Sequence, residues 1–390
     1  MDVPTTPLIV SVMFCLDTEQ GHIFTYNKCV GESARLLDWN HAAAVRAAAR
    51  VTRLPEGWEL CLGVKNTRFK RGLLSKTEKM FRLVASLATY LRHQTRQHTR
   101  PLILFLEWFD PIHLIAFCLA LMAVPARENL WVWILYRLAI HSPTQHLFYR
   151  SIHAVLQRLL PAGRLRLLSD STVVADELTS SFRETVNVVP IPHGAISEGE
   201  TAALPAWALS PARNGKLVCW WPGQPAAAKG LRHIQRLAAS KDDVASRICL
   251  VAAQQSNLHP VEGGCEIILV PDALTREEYL GWMQTTDIVI LPYDPAVYKE
   301  RTSGIFCEAI SAGKLVAVHS GTWMARELLA YHLDELIVDW ERPDLTQTLL
   351  TLSTDNGVRA RLAAMQAAYQ RIHTRQGFAE ALRRVYTLDA

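Results

Sequence analysis

One pattern constrains this chain more than any other: a short apolar run, a turn and a segment of helical period recur along it, stop once, and recur again. In the first half the strand-like runs are 8–14, 42–47, 59–62, 102–106, 130–135, 166–168 and 186–191. Between them the spacing predicts helices over 26–38, 76–96, 111–124, 143–160 and 172–182. Residues 197–215 then carry Gly, Pro and small residues with no apolar period, and 198–215 reads as a linker. The alternation restarts with strands at 217–221, 248–252, 266–270, 288–292, 316–318 and 336–338. Helices are expected near 229–240, 276–284, 304–312 and 324–331, and three more close the chain at 345–353, 358–371 and 378–386. Such alternation implies an α/β protein with two doubly wound parallel sheets, one in residues 1–197 and one in 216–390. The last helix is free to pack back on the first domain. Ligands of such sheets bind at the carboxyl ends of the strands, so a cleft faced by both domains is expected to hold the site.

The bulk numbers agree with two domains. A chain of 390 residues exceeds what one core organises. Its 49% hydrophobic and 20% charged content belongs to a globular enzyme rather than a disordered or fibrous chain. The eight cysteines are scattered, without a C-x-x-C pair, and several fall inside apolar runs, which is how free thiols of a reducing compartment look. The start of the chain lacks the basic region and cleavage site of a secretion signal. No apolar run reaches the roughly 18 to 20 residues that span a bilayer. The longest, 112–124, is interrupted by His113 and reads as a buried helix. The protein is therefore expected in the cytoplasm. Charge is uneven: residues 65–100 hold ten Lys and Arg and only Glu78 on the acidic side. That run suits an anionic membrane surface or a phosphate-bearing acceptor, or is a solvated helix face. Nucleic acid is not an expected partner.

The densest local signal runs through 286–326. A buried strand ends in Pro292 and Tyr293, a loop follows, and Ser303 and Gly304 lead into an apolar helix carrying Glu308. A helix start without bulky side chains presents free N–H groups and the positive dipole end to a phosphate. Glu300 and Glu308 are separated by seven residues, one in the loop and one about a turn inside the helix. Two planar carboxylates so placed suit hydroxyl pairs on a sugar and on a ribose. At the start of the same half, Gly223 follows a strand end and Lys229–Gly230 open the next helix, where an ammonium can neutralise a diphosphate.

This region is similar to the donor site of the family-four retaining glycosyltransferases, whose two Rossmann-like domains form the GT-B fold. Their Glu-x7-Glu signature is followed, as here, by a small-residue helix and a turn, Gly313–Lys314 in this chain. The resemblance implies that Glu300 contacts the donor sugar, Glu308 the ribose, and the backbone of Thr302, Ser303 and Gly304 the diphosphate. It implies further donor contacts at Gly223, Lys229 and Gly230, with Lys229 and Glu300 in catalysis. Three departures stand out. Gly304 falls one residue later than the family's Phe-Gly pair; Ala226 occupies the place of an expected Arg, leaving Arg232 or Arg301 to replace it; and Ile196 replaces an acidic residue after the stretch 188–194, which resembles the family's Pro-x-Gly element.

In the first half, Gly21 and His22 match the family's acceptor-side loop and are the acceptor-binding candidates. Glu107 and Asp110 follow a strand end, where a carboxylate can act as base or orient a hydroxyl; Asp110 can equally cap the helix that begins at Pro111. Asp-x-Asp, zinc-type Cys/His spacing and a Walker loop are all missing, so no metal or other cofactor is expected and the leaving-group charge falls to Lys229, neighbouring Arg and helix N-termini. The expected function is transfer of a hexose from a nucleotide-diphosphate sugar to a glycan or lipid-linked acceptor in polysaccharide or glycoconjugate synthesis, with retention implied by the resemblance. A sugar-nucleotide epimerase, or a degenerate sugar-nucleotide-binding subunit, would share the architecture. The sugar, base, acceptor and linkage are not written in these residues.

Overall fold

Strands whose every residue is buried must have helices on both sides, and the central strands of both sheets here are of that kind. A computed structural model describes residues 6–19, 22–63, 73–125, 127–138, 140, 142–194, 202–204, 208 and 214–388. The first sheet contains β1 (Leu8–Met13), β2 (Asn40–Arg46), β3 (Trp58–Leu62), β4 (Leu102–Leu106), β5 (Leu130–Tyr136), β6 (Leu165–Ser169) and β7 (Val186–Val188). Its seven strands are all parallel, in the order β3-β2-β1-β4-β5-β6-β7. Leu8 pairs with Leu102 and Leu102 with Leu130, so the central strands start level. The second sheet contains β8 (Leu217–Trp221), β9 (Ile248–Ala253), β10 (Glu266–Val270), β11 (Ile288–Leu291), β12 (Leu315–His319) and β13 (Ile337–Val338). It too is all parallel, in the order β10-β9-β8-β11-β12-β13. The strand order reverses beside β1 in one sheet and beside β8 in the other, which is where a doubly wound sheet leaves a crevice.

The chain divides into two compact units, Met1–Pro192 with Arg375–Ala390, and His193–Thr374. Of the expected linker, Ala203 and Leu204 lie against Gly281 of the second unit, and most of 198–213 falls outside the described residues.

The first unit's helices are α1 (His22–Arg35), α2 (Leu73–Gln97), α3 (Pro111–Met122), α4 (Pro143–Leu159) and α5 (Thr172–Phe182). Helices α2 to α5 cover one sheet face, with Leu91, Phe117, Leu121, Leu156 and Leu178 in that core. The other face receives α1 alone from this stretch, through Tyr26, Val30 and Ala34. A final helix, Arg375–Thr387, completes the layer: Phe378, Ala381, Leu382 and Val385 bury against Ile9, Phe105 and Trp133, and Arg375 pairs with Glu32 of α1. Within the second unit the helices are α6 (Leu231–Ala238), α7 (Arg276–Thr285), α8 (Pro295–Tyr298), α9 (Gly304–Ser311), α10 (Trp323–Leu329), α11 (Leu345–Thr354) and α12 (Asn356–Ile372), which makes the final helix α13.

Several boundaries differ from the sequence reading for identifiable reasons. Helix α1 starts at His22 rather than Tyr26, because Ile23 and Phe24 in its first turn pack against the cluster of Met13, Val45 and Trp58. Lys229 does not open a helix. It ends a 3-10 turn, Ala227–Lys229, and Gly230 at φ +81° separates that turn from α6. Asp294 caps an unforeseen short helix, α8. Most notably, α3 is not buried all round: Ile112, Leu119 and Met122 are 45%, 38% and 58% exposed. Among the described residues no helix is long and apolar enough to cross a membrane.

Phe378 is fully buried in the layer that α13 completes. Phe378→Ala is expected to cost about 3 to 5 kcal/mol of stability, read as a shift of the urea unfolding midpoint in the full chain. A loss below about 1 kcal/mol would contradict the packing role given to α13.

Candidate functional site

In the second unit the loops that follow β8 and β11 are stitched together. Gly230 has a left-handed backbone, and a Cβ there would fall 2.0 Å from the carbonyl oxygen of Pro292. Only glycine permits that approach. Asp294 N–H donates to the Ala228 carbonyl at 3.0 Å, and Trp221 Nε1 donates to the Lys229 carbonyl at 3.1 Å. Gly223, also left-handed at φ +86°, leaves room for the Lys229 ammonium: a Cβ would stand 2.9 Å from Nζ and 3.7 Å from Ile305 Cδ1.

That ammonium is half-buried, 6.0 Å from the centre of the Tyr293 ring. Burial, with a smaller push from Arg301, holds its pKa below the usual lysine range. Arg301 lies over the Tyr298 ring at 5.3 Å. Among the described residues no carboxylate pairs with either cation. Arg232, the other replacement considered for the residue lost at Ala226, is exposed and pairs with Glu341 at 2.6 Å. Arg301 is therefore the second positive charge beside Lys229.

The N-terminus of α9 lies in the same segment. Ser303 Oγ accepts from the Phe306 N–H at 3.3 Å and caps the helix. Thr302 is buried, and its hydroxyl has no partner among the described residues. Gly304 sits against His193, where a Cβ would come within 2.8 Å of the imidazole. Glu300 is half-buried in the loop between α8 and α9. Glu308 is buried on α9 beside residues that sequence reading missed: Arg276 Nη1 donates to Oε1 at 2.9 Å, Tyr279 OH donates to Oε2 at 2.6 Å, and His193 Nδ1 lies 3.9 Å from Oε1. Burial alone would raise its pKa; the His193, Arg276 and Tyr279 interactions outweigh that and hold it below the ordinary carboxylate value. A signal for two of them is present in the sequence. Thr275 and Glu278 form a reciprocal capping box, with bonds of 3.2 and 2.9 Å, which fixes the start of α7 and sets Arg276 and Tyr279 three residues apart on one face.

In the first unit a second polar cluster forms where three adjacent strands end. Glu107 follows β4, Arg137 follows β5 and Asp170 follows β6, and all three are largely buried. Arg137 Nη1 donates to Glu107 Oε1 at 2.8 Å, and its Nη2 lies 2.8 Å from Asp170 Oδ2. The guanidinium stands over the Tyr26 ring at 5.3 Å. Burial works against its charge, but Asp170 and Glu107 more than compensate and raise its pKa. Asn27 Nδ2 donates to Glu107 Oε2 at 2.9 Å, and His22 Nε2 lies 2.7 Å from Oε1. Glu107 and His22 were thus read from the sequence, and Arg137 and Asp170 were not. Each of the latter is the first polar residue past a buried strand, as Glu107 is.

Asp110 stands apart from this cluster. Its Oδ1 accepts from the His113 N–H at 2.9 Å while its own N–H donates to His113 Nδ1 at 3.2 Å, so the carboxylate caps α3. Gly21 lies outside the described residues. Past the ends of β1, β2 and β3 a cavity of about 340 Å³ is lined by Phe14, Cys15, Asp17, Arg46, Lys79 and His113, among others. His113 stacks on Phe14 at 4.8 Å between ring centres. Burial pushes the Cys15 thiol up to about 11, so it is no nucleophile at neutral pH.

No family model and no curated protein matches the chain. Solved structures do match it, over nearly its whole length. Sucrose-phosphate synthase from Thermosynechococcus elongatus is 13% identical with a TM-score of 0.62, covering 98% of each chain. An Escherichia coli trehalose-6-phosphate protein bound with UDP-2-fluoro glucose is 12% identical, TM-score 0.64, over 98% of this chain and 99% of that one. Anabaena HepE in complex with UDP and glucose is 11% identical, TM-score 0.61, over 98% and 99%. At such identity the likeness is one of fold. It bears out the expected GT-B class, here with parallel sheets of seven and six strands.

Because the folded pKa of Glu308 lies below the ordinary 4.5, the stability its charge provides is present above about pH 4.5 and lost as pH falls through the folded value. Glu308→Gln should therefore be less stable than the wild type by roughly 1 to 3 kcal/mol at pH 7. The gap should narrow below pH 4.5 in a pH series of urea unfolding. A gap that stays constant down to pH 3 would assign the loss to packing rather than charge.

Proposed function

We propose that the chain is a metal-independent glycosyltransferase that moves a hexose, with retention, from a nucleoside-diphosphate sugar to a hydroxyl of a glycan or lipid-linked acceptor in polysaccharide or glycoconjugate synthesis. One observation carries the reading: Lys229 and Arg301 bring two positive charges, without carboxylate partners among the described residues, to the reversal point of a doubly wound sheet. A half-buried ammonium so placed is costly unless an anion joins it. The N-terminal amides of α9 and the buried Thr302 hydroxyl supply donors to the same anion.

In the transfer, the bond between the sugar's anomeric carbon and the diphosphate oxygen breaks with its electron pair left on the diphosphate, which leaves with added negative charge. The acceptor hydroxyl oxygen bonds to that carbon on the same face, and the hydroxyl proton passes to the departing diphosphate. Lys229, Arg301 and the α9 amides stabilise the leaving-group charge as it develops. Gly223 and Gly230 keep the backbone low beneath it. Glu300 takes the sugar hydroxyls. Glu308 takes a ribose hydroxyl, since a carboxylate has about four acceptor positions and Arg276 and Tyr279 occupy two of them. In the first unit, His22 offers its partly exposed edge to the acceptor while Glu107, locked by Arg137 and Asn27, holds the ring in place. The 340 Å³ cavity nearby is of monosaccharide size and receives the rest of the acceptor. UDP and UDP-2-fluoro glucose in two of the neighbours make uridine nucleotides the first donors to try.

The purified chain would be incubated with UDP-, GDP- and ADP-hexoses and nucleotide release followed, alongside thermal shifts with UDP and GDP. A nucleotide at 100 times its Kd should add about 2.7 kcal/mol. Lys229→Ala and Arg301→Ala should each lower kcat/KM about 100-fold with the fold intact. Unchanged turnover in both variants would refute the reading. A thermal shift with no turnover would instead indicate a binding subunit, a reading that Ala226 favours, and an isomerised sugar seen by NMR without acceptor would indicate an epimerase.

A further inference from the structure

A helix at the surface of a globular protein turns its apolar sector inward and its polar sector to water. Helix α3 has no polar sector to turn. Its sequence, PIHLIAFCLALM, contains one polar side chain, His113, and that ring is stacked on Phe14. Leu114, Phe117, Cys118 and Leu121 are buried against the sheet and its neighbours. What remains outward is Ile112, Leu119 and Met122, 45%, 38% and 58% exposed, with Ile115 half-buried among them. At 100° per residue these positions fall within one sector about 80° wide and form a continuous apolar ridge. The flanking helices extend it. Helices α2 and α4 both pack on α3, and they expose Phe81 at 66% and Leu147 at 64%.

The ridge is bordered by positive charge. Arg92 Nε donates to the Ala123 carbonyl at 2.9 Å and Arg127 Nη1 to the Leu121 carbonyl at 3.4 Å, so two guanidiniums stand at its Met122 end. Across the described side chains of α2, α3 and α4, the cations Arg82, Arg92, Arg96, Arg150 and Arg158 outnumber the carboxylates beside them: Glu78 on α2, Asp110 at the N-cap of α3, and Glu184 near Arg150 and His153 of α4. Glu78 is itself paired with Arg82.

We infer that this three-helix face docks on an anionic lipid surface, with the α3 ridge entering the boundary between headgroups and acyl chains and the surrounding cations meeting lipid phosphates. Charge complementarity selects this occupant over a second copy of the chain. Two such faces brought together would set an excess of cations against cations, since Glu78 is already paired with Arg82, Asp110 caps α3, and Glu184 lies by Arg150 and His153. The outward sector of the ridge also offers no hydrogen-bonding side chain, so recognition there is non-directional, as insertion into lipid is and docking on a particular protein is not. The inference needs nothing from the transferase reading, and its test reads binding alone.

The full chain would be co-sedimented with phosphatidylcholine vesicles and with vesicles carrying about 30% phosphatidylglycerol at about 0.1 M salt. Binding to the anionic vesicles is expected to exceed binding to the neutral ones at least 10-fold and to fall as salt is raised. The exposed pair Leu119→Asp with Met122→Asp should lose at least 10-fold in binding while circular dichroism and the thermal unfolding midpoint stay unchanged. Arg96→Glu with Arg158→Glu should abolish the preference for anionic over neutral lipid. Equal binding to both vesicle types by the wild type, or undiminished binding by the aspartate pair, overturns the proposal. So does a wild-type dimer in sedimentation velocity that the aspartate pair dissolves, which would assign the ridge to a second copy.

Discussion

A parallel sheet of fully buried strands cannot stand until both of its faces are covered, and that requirement organises the first unit. Residues 8–188 supply four helices to one face and only α1 to the other. The chain meets the deficit by returning for α13, whose apolar stripe reaches Ile9, Phe105 and Trp133 beside α1. The pairing of Arg375 with Glu32 fixes the helix where it enters. Within the sheet, Leu106 at the end of β4 pairs with Ile134, and Tyr136 at the end of β5 pairs with Ser169 at the end of β6, so the polar residues just past these strands gather at one edge. Glu107, Arg137 and Asp170 owe their proximity to that pairing.

The two polar clusters differ in how their charges are balanced. In the first unit Arg137 is enclosed by two carboxylates, with His22 beside one of them, so the cluster is internally compensated and serves to hold side chains in place. In the second unit the charge of Glu308 is likewise compensated, by Arg276 with Tyr279 and His193 beside it, but Lys229 and Arg301 have no carboxylate partner among the described residues. Local compensation makes a framework, and local excess makes a place for a ligand of the opposite sign.

Much of this was legible in the sequence because burial on both faces writes itself as continuous apolar runs. β4 and β8 were read to the residue, and β5 and β11 to within one. The Gly223, Lys229 and Gly230 cluster and the placement of Glu300 and Glu308 around a helix start could also be seen, since strand, loop and helix follow directly along the chain. What could not be read depends on distant partners. Arg276 lies 32 residues from Glu308, and Arg137 and Asp170 gain their meaning only when β5 and β6 are laid beside β4. The start of α1 was misplaced because its first turn is held by Met13 and Trp58 rather than by a local cap. α3 was misjudged because apolar content cannot say whether every side of a helix has a neighbour.

The late arrival of α13 bears on how the protein is made. Glu32 and its partner Arg375 are 343 positions apart, so the first unit is left incomplete while the whole second unit is synthesised. At 5 to 20 residues per second, those roughly 180 residues take about 10 to 40 s. Throughout that interval the sheet face around Ile9, Phe105 and Trp133 stays open, and the ribosome-bound intermediate presents a large sticky surface. Such a nascent chain depends on a chaperone to shield that surface, or on its own second unit folding quickly enough to hand over the last helix before another chain finds the gap.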